Sequence, residues 1–419
     1  MVKQSICMCE VTILMRKTLR IKKRINRDKL IKETKRNEFR ITHSYLNTFS
    51  FDHFIYTIPK CFKGVSWKKS VQKYKAYPIL RSYKDYKSLQ NHALPKFMSG
   101  KDKIITERGK QRIITPIHIK DREIQKVLCD YVLTPAITQR LIYDNGASLK
   151  RKGVSFTRQR VAKHLRRAIK EYGTNFYVLS FDFKSFFNSI PHKTCRIILN
   201  ELPIDKDLVN VTMDIIKQPC YVKARSILNN TERQNAIQEL RSDNGVGICL
   251  GSQVSQLLAL LIPNKLDHYI KDEMRIKHYI RYMDDGIIFA KTKEELKLLY
   301  DGMIHVCELL GLRFNHHKTK IINIKRGFSF LKTKYNITDT GKVIKRLCHG
   351  GIVRMRRKLK KLKRKIDGGV LMLIDAYNSI QSWLAHSKIT NSHKTVSLMM
   401  RLYYSLFNGY GFKKGGCVA

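Results

Sequence analysis

The sequence predicts an α+β fold with antiparallel sheet, and three observations carry that prediction. Short β-branched runs flank turns at 104–115 and 278–291, the pattern of antiparallel hairpins. Apolar residues recur at helical spacing in separate stretches, including 161–173, 252–268 and 293–310. The hydrophobic share of 43%, with 10% aromatic residues, suffices for a buried core and excludes a disordered basic tail. At 419 residues the chain has room for two or three subdomains.

Charge narrows the partners. Lys and Arg number 82 against 33 Asp and Glu, a net +49. A compact body with that excess repels itself unless a polyanion neutralises it, so nucleic acid is the first expectation and an anionic membrane the second. The opening MVKQSICMCEVTILM lacks the apolar stretch and cleavage site of a signal peptide, and no segment approaches the length of a membrane span, so no membrane partner is expected. Ten cysteines are scattered without a CxxC pair, which points to reduced thiols and a cytoplasmic protein.

In chain order, 16–36 is a basic stretch readable as a solvated helix or as an arm lying on phosphates. Residues 40–100 mix aromatics with Lys and show no period. IITERGKQRIIT (104–115) reads as a β-hairpin, and a helix with Asp121 at its N-terminus follows Pro116. Residues 141–160 read as a loop, and VAKHLRRAIKEYG as a helix ending at Gly173. NFYVLSFDF is a strand. The polar stretch 229–245 reads as a loop insertion, and an apolar helix begins near Ser252. HYIRYMDDGIIFAK gives two strands around a turn, with an amphipathic helix at 293–310. From Gly341 a basic helical region carries the stripe Met355, Leu359, Leu362, Ile366.

The candidate chemistry lies at strand ends. Asp284 and Asp285 sit in the turn between two apolar strands, and Asp182 ends another. An Asp-Asp pair also occurs in ordinary solvated turns, and a lone Asp at a strand end is usually an exposed cap. Three carboxylates on two strands of a very basic chain fit a different need, that of two-metal phosphoryl transfer, in which Mg²⁺ takes few carboxylates plus water and phosphate oxygens.

These segments resemble a known family. FDFKSFFNSIP, GICLGSQVSQLLALL and RYMDDGIIFA occur in the order of motifs A, B and C of reverse transcriptases. KQRIITPIHIKDREIQ resembles the fingers motif of the bacterial members, GLRFNHHKTKI motif D, and FSFLK the motif E primer grip. The resemblance spans roughly 104–335. It implies a right-hand polymerase: 1–100 a basic N-terminal extension and start of the fingers, 101–175 fingers, 176–325 palm, and 326–419 primer-grip region and small helical thumb. It implies RNA-directed DNA synthesis with two Mg²⁺ or Mn²⁺ ions, an RNA template, a DNA or RNA primer and dNTPs.

Residue by residue, the resemblance makes Asp182, Asp284 and Asp285 metal ligands, with the Phe183 carbonyl as an added donor. Phe187 falls at the steric gate against a ribose 2′-hydroxyl; its alternative is a core aromatic like Phe186. Lys110 and Arg112 meet the triphosphate, and Lys318 matches the lysine that protonates pyrophosphate. Tyr282 and Met283 touch the primer end and template sugars, and Leu250, Gly251, Ser255 and Gln256 of motif B line the nucleotide site.

Motif B departs from the common Gln-Gly form. Leu250-Gly251-Ser252-Gln253-Val254-Ser255-Gln256 resembles the reverse transcriptases of diversity-generating retroelements, known for low fidelity opposite template adenines. An aliphatic Leu250 cannot supply the amide hydrogen bond, which relaxes discrimination between bases. Such enzymes act with a basic accessory protein and a structured RNA. Phe330-Leu331-Lys332 has Lys where many relatives have Gly. Beyond residue 340 only Asp367 and Asp375 are acidic, too few for an RNase H site, and no zinc-supported nuclease spacing is present. Basic residues 354–364 read as a thumb face on a template–primer backbone or as a simple solvated helix. A retron-type or phage-defence enzyme, and an RNA-binding scaffold with a vestigial polymerase site, stay open as alternatives.

Overall fold

The computed structural model describes residues 27, 30–95, 97–98, 103–107 and 110–408. After a helix over 30–42 and a short turn, the chain forms α1 (Phe51–Phe62), α2 (Lys69–Lys75) and α3 (Pro78–Gln90), then the hairpin β1 (Lys103–Glu107) and β2 (Lys110–Ile114). α4 (Ile119–Leu128) and α5 (Val154–Tyr172) precede β3 (Tyr177–Asp182) and α6 (Phe186–Ser189). α7 (Lys206–Arg225), α8 (Asn230–Arg241) and α9 (Gln253–Leu261) lead to β4 (Tyr279–Tyr282) and β5 (Asp285–Ala290). There follow α10 (Lys293–Leu309), β6 (Lys320–Asn323), β7 (Phe328–Phe330), β8 (Thr333–Ile337), β9 (Val343–Leu347), α11 (His349–Asp367), α12 (Leu373–Ser387) and α13 (His393–Phe407). Among the described residues the strands pair antiparallel, in keeping with an α+β chain.

The chain divides into two compact units. The first comprises residues 1–141, 185–264 and 310–312, and the second 142–184, 265–309 and 313–419. In the first unit α4 packs against α1, with Ile58, Cys61, Val71, Tyr74 and Ile119 buried together. In the second, the sheet β4-β5-β3-β6 is covered by α5, whose Val161, Leu165 and Ala168 bury against Phe176, Val178, Ile280 and Phe289. Each such large apolar side chain contributes about 1.5–3 kcal/mol by leaving water. A separate three-helix core joins Met355, Leu359 and Leu362 of α11 to Ala376, Ile380, Met399 and Tyr403.

Several expectations need correction. The stretch 229–245 is largely helix α8, because Asn229 caps it by accepting from the Glu232 N–H at 3.1 Å and its Glu, Arg, Gln and Ala favour helix; within the helix Leu240 alone is buried. α5 begins at Val154, inside the expected loop, because Thr157, Val161, Leu165 and Ala168 share one buried face that the intervening cations obscure. Gly173 ends that helix at φ +77°, as expected. Asp121 lies in the first turn of α4, as expected, and accepts the Met98 N–H at 2.9 and 3.0 Å, while His118 caps the helix. Residues 343–347, expected as helix, are strand β9 paired to β8. Residues 16–26 of the basic stretch lie outside the described residues, and 30–36 are exposed helix.

Candidate active site

Strand register brings the three aspartates together in the second unit. β3 pairs with β5 so that Asp182 lies opposite Asp285 and Phe181 opposite Gly286. β4 pairs with the other edge of β5, with Tyr282 opposite Asp285. Met283 and Asp284 form the connecting turn, and Met283 adopts a left-handed φ of +55°, uncommon for a residue with a β-carbon. Gly286 is required at its position: a β-carbon there would stand 2.0 Å from Cζ of the buried Phe181.

The turn has a brace that the sequence reading missed. Arg281 is fully buried and donates from Nη1 to the Met283 carbonyl at 2.9 Å. Its Nε and Nη2 each reach an oxygen of the equally buried Asp267 at 2.7 Å, and the Tyr279 hydroxyl donates to the same carboxylate at 2.7 Å. The available signal was a cation inside an apolar strand, which must find a buried counter-charge.

The catalytic candidates lack such pairing. Asp182 is 4% exposed and pairs with Lys318, which donates to its Oδ2. Burial, and then the charges on Asp284 and Asp182, push the Asp285 carboxyl up to about 7 against the pull of Lys318. Asp284 is raised by burial first and Asp182 next. The hydrogen bond to Asp182, more than any other contact, raises Lys318 above the ordinary lysine range. Lys318 reaches the site because residues 313–315 are stitched to the end of β3: the Asn315 N–H donates to the Asp182 carbonyl at 2.7 Å and the Lys184 N–H to the Arg313 carbonyl at 2.8 Å. Between those bonds Phe183 stacks on Phe314 at 5.2 Å.

Among the described residues, no group of three or more His, Cys, Asp or Glu side chains is gathered tightly enough to enclose an ion. The donor set nonetheless fits a hard divalent cation. Three carboxylates converge in a half-buried place where their mutual repulsion is offset by one lysine, and Mg²⁺ needs few protein oxygens.

The remaining candidates belong to the first unit. Lys110 and Arg112 lie on β2, opposite Glu107 and Ile105, and the Arg112 side chain is exposed. Phe187 is half-buried, unlike the buried Phe186, and its carbonyl accepts the Ile248 N–H at 2.8 Å. The Leu250 carbonyl accepts the Thr115 N–H at 3.1 Å, joining motif B to the hairpin's exit. Gly251, at φ +122°, would set a β-carbon 2.8 Å from the Thr115 carbonyl. Ser255 is fully buried beside Cys249, whereas Gln256 is exposed. Ser252, absent from the candidate set, caps α9 and donates to Gln125 of α4 at 2.8 Å.

A family model described as reverse transcriptase (RNA-dependent DNA polymerase) matches residues 94–335, more than half of the chain. The chain belongs to the reverse transcriptase family. Members of this family are nucleotidyltransferases that use divalent metals. Similar solved structures include apo telomerase of Candida tropicalis truncated from its C-terminal domain, at 17% identity and a TM-score of 0.39, over 60% of this chain and 56% of that one. Telomerase of Candida albicans, solved with a fragment of telomeric RNA, gives 14% identity and a TM-score of 0.44 over 76% of this chain. The reverse transcriptase chain spans 56% of that protein's length. No curated protein matches it.

Proposed function

We propose that this reverse transcriptase extends a primer with deoxynucleotides on an RNA template, using Asp182, Asp284 and Asp285 as metal ligands. The observation that carries the reading is the register setting Asp182 opposite Asp285, with Asp284 in the adjoining turn. Two bound Mg²⁺ or Mn²⁺ ions would supply activation of the primer hydroxyl and stabilisation of charge on the transferring phosphate. The protein's own part is to hold the carboxylates on rigid strands, with the Phe183 carbonyl as a further donor. Lys318 exchanges Asp182 for the leaving pyrophosphate and gives it a proton. Lys110 and Arg112 bind the triphosphate by charge-assisted bonds. Phe187 excludes a 2′-hydroxyl, Tyr282 and Met283 contact primer and template, and Leu250, Gly251, Ser255 and Gln256 shape the nucleotide site.

On this reading 101–175 form the fingers, 176–325 the palm and 326–419 the primer-grip region and thumb, after a basic extension and start of the fingers over 1–100. The thumb reading is supported by α11, where Arg354, Arg356, Arg357, Lys360, Lys361 and Arg364 are all exposed while Met355, Leu359 and Leu362 are buried. Such a face holds an RNA–DNA hybrid by its phosphates. Among the described residues no cysteine forms a disulfide, and no helix is long and apolar enough to cross a membrane.

Primer extension on a defined RNA template tests the activity. Asp284→Ala/Asp285→Ala should lower incorporation at least about a hundredfold; unchanged incorporation would favour an RNA-binding scaffold. Leu250 supports the finer reading of an error-prone enzyme of a bacterial diversity-generating retroelement, acting with a basic accessory protein and structured RNA. Leu250→Gln should reduce misincorporation opposite adenine, and equal error rates would remove that mechanism. A template/variable repeat pair differing at adenines beside the gene would support the retroelement, and a non-coding RNA gene or toxin-like neighbour a retron or defence role.

A further inference from the structure

A cavity of about 340 Å³ in the first unit, between α2, α3 and the start of α4, has no part in the polymerase reading. Lys73, Arg81 and Lys84 line it, and none has an acidic partner among the described residues. Arg81 lies over the Tyr74 ring at 5.2 Å, which leaves the guanidinium's other face for a second flat group. The floor is rigid, because Tyr74 and Ser82 both donate to the buried Glu123 at 2.6 Å.

Two polar groups give the cavity a preference. Asp85 is 2% exposed; its Oδ1 faces Lys120 at 3.1 Å, but its Oδ2 is buried without a hydrogen-bond partner. An unmatched carboxylate oxygen calls for an N–H donor. His118 accepts the Lys120 N–H at Nδ1, so its neutral ring carries the proton on Nε2 and offers a donor. Burial holds that ring below the usual histidine range and keeps it neutral. Trp67, Tyr77 and Tyr83 stand exposed on the same helical bundle, and Lys68 and Lys87 lie over two of these rings. Cations interleaved with exposed aromatic rings form the surface along which a single strand stacks.

We propose that this cavity is a subsite for one unpaired, amine-bearing nucleotide of an RNA strand, its base on Arg81 and donating to Asp85 Oδ2, its phosphates held by Lys73 and Lys84. The proposal rests on RNA being a partner of the chain, and its test omits dNTPs so that loss of polymerase activity is scored separately, by primer extension. The full chain is irradiated with a ten-nucleotide oligouridylate carrying one 6-thioguanosine, and adducts are mapped by mass spectrometry. Adducts are expected on peptides holding Tyr74, Met98 or His118. Ser70→Trp, which fills the cavity from α2, should cut their yield about tenfold while adducts elsewhere persist; Lys73→Ala/Lys84→Ala should do the same and serves if the first variant misfolds. Replacing 6-thioguanosine by 4-thiouridine, which lacks the amine, should lower the cavity's share of adducts. Absence of adducts there, equal shares for the two bases, or yields indifferent to both variants would overturn the proposal. Displacement by ATP as effective as by unlabelled oligonucleotide would overturn the strand assignment in favour of a free nucleotide.

Discussion

Asp267 and the Asp182–Asp284–Asp285 group lie in the same unit, and they carry buried charge in opposite ways. Asp267 receives two guanidinium bonds and a tyrosine hydroxyl and has no exposure at all. The three aspartates crowd one another, with Lys318 as their chief offset and two carboxyls pushed up by burial and repulsion. A satisfied carboxylate makes a brace, and an unsatisfied set makes a place for a cation. Arg281 links the two, since the guanidinium that neutralises Asp267 also holds the Met283 carbonyl at the turn before Asp284.

The largest effect should come from breaking the paired side. Arg281→Met strands the Asp267 charge and should cost about 3–5 kcal/mol in urea unfolding. By contrast, Asp285→Asn should leave stability without divalent ions within about 1 kcal/mol of the parent, or above it, while abolishing incorporation. Equal losses in the two variants would erase the distinction. Next in size, Gly286→Ala drives a β-carbon into Phe181 and should cost about 1–3 kcal/mol, read by the same unfolding experiment.

Glu123 supplies an intermediate case in the other unit, a buried carboxyl that accepts from the hydroxyls of Tyr74 and Ser82. Burial raises it to about 7 against those hydrogen bonds. The folded state therefore binds its proton more tightly than the unfolded chain, whose Glu titrates near about 4.3. Stability should be highest below pH 4.3 with respect to this group and decline as pH rises to 7, by at most about 3–4 kcal/mol. Glu123→Gln should flatten that part of the pH profile whatever its absolute stability; an unchanged slope would assign the decline elsewhere. The smallest structural effect belongs to the exposed α11 face. Arg356→Ala/Lys360→Ala should alter unfolding by less than about 1 kcal/mol yet reduce the salt slope of hybrid binding by about 2.

Local chemistry explains which features were legible. The hairpin at 104–115, the strand ending at Asp182 and the strand pair around Asp284 carry their own period-2 and turn signals, and each forms where expected. The helix stripe of Met355, Leu359 and Leu362 was legible for the same reason. Helix α8 was not, because a polar helix with one buried residue has no stripe and depends on its Asn229 cap. β9 was hidden because Val343-Ile344-Lys345-Arg346-Leu347 carries no period-2 alternation and takes its strand form by pairing with β8. The three aspartates could be picked out as strand-end carboxylates, but Asp267 could not be matched to Arg281 without the fold. The cavity beside Asp85 draws on 70–85, 98 and 118–120, three stretches that nothing in the chain's periodicity connects.

The most direct measurement counts Mn²⁺ by electron paramagnetic resonance, with the full chain bound to an RNA template, a dideoxy-terminated primer and the matching dNTP. The crowded carboxylates predict two tightly held ions in the parent and their loss in Asp284→Ala/Asp285→Ala. An unchanged Mn²⁺ count in that variant would contradict the assignment of these residues as the metal site.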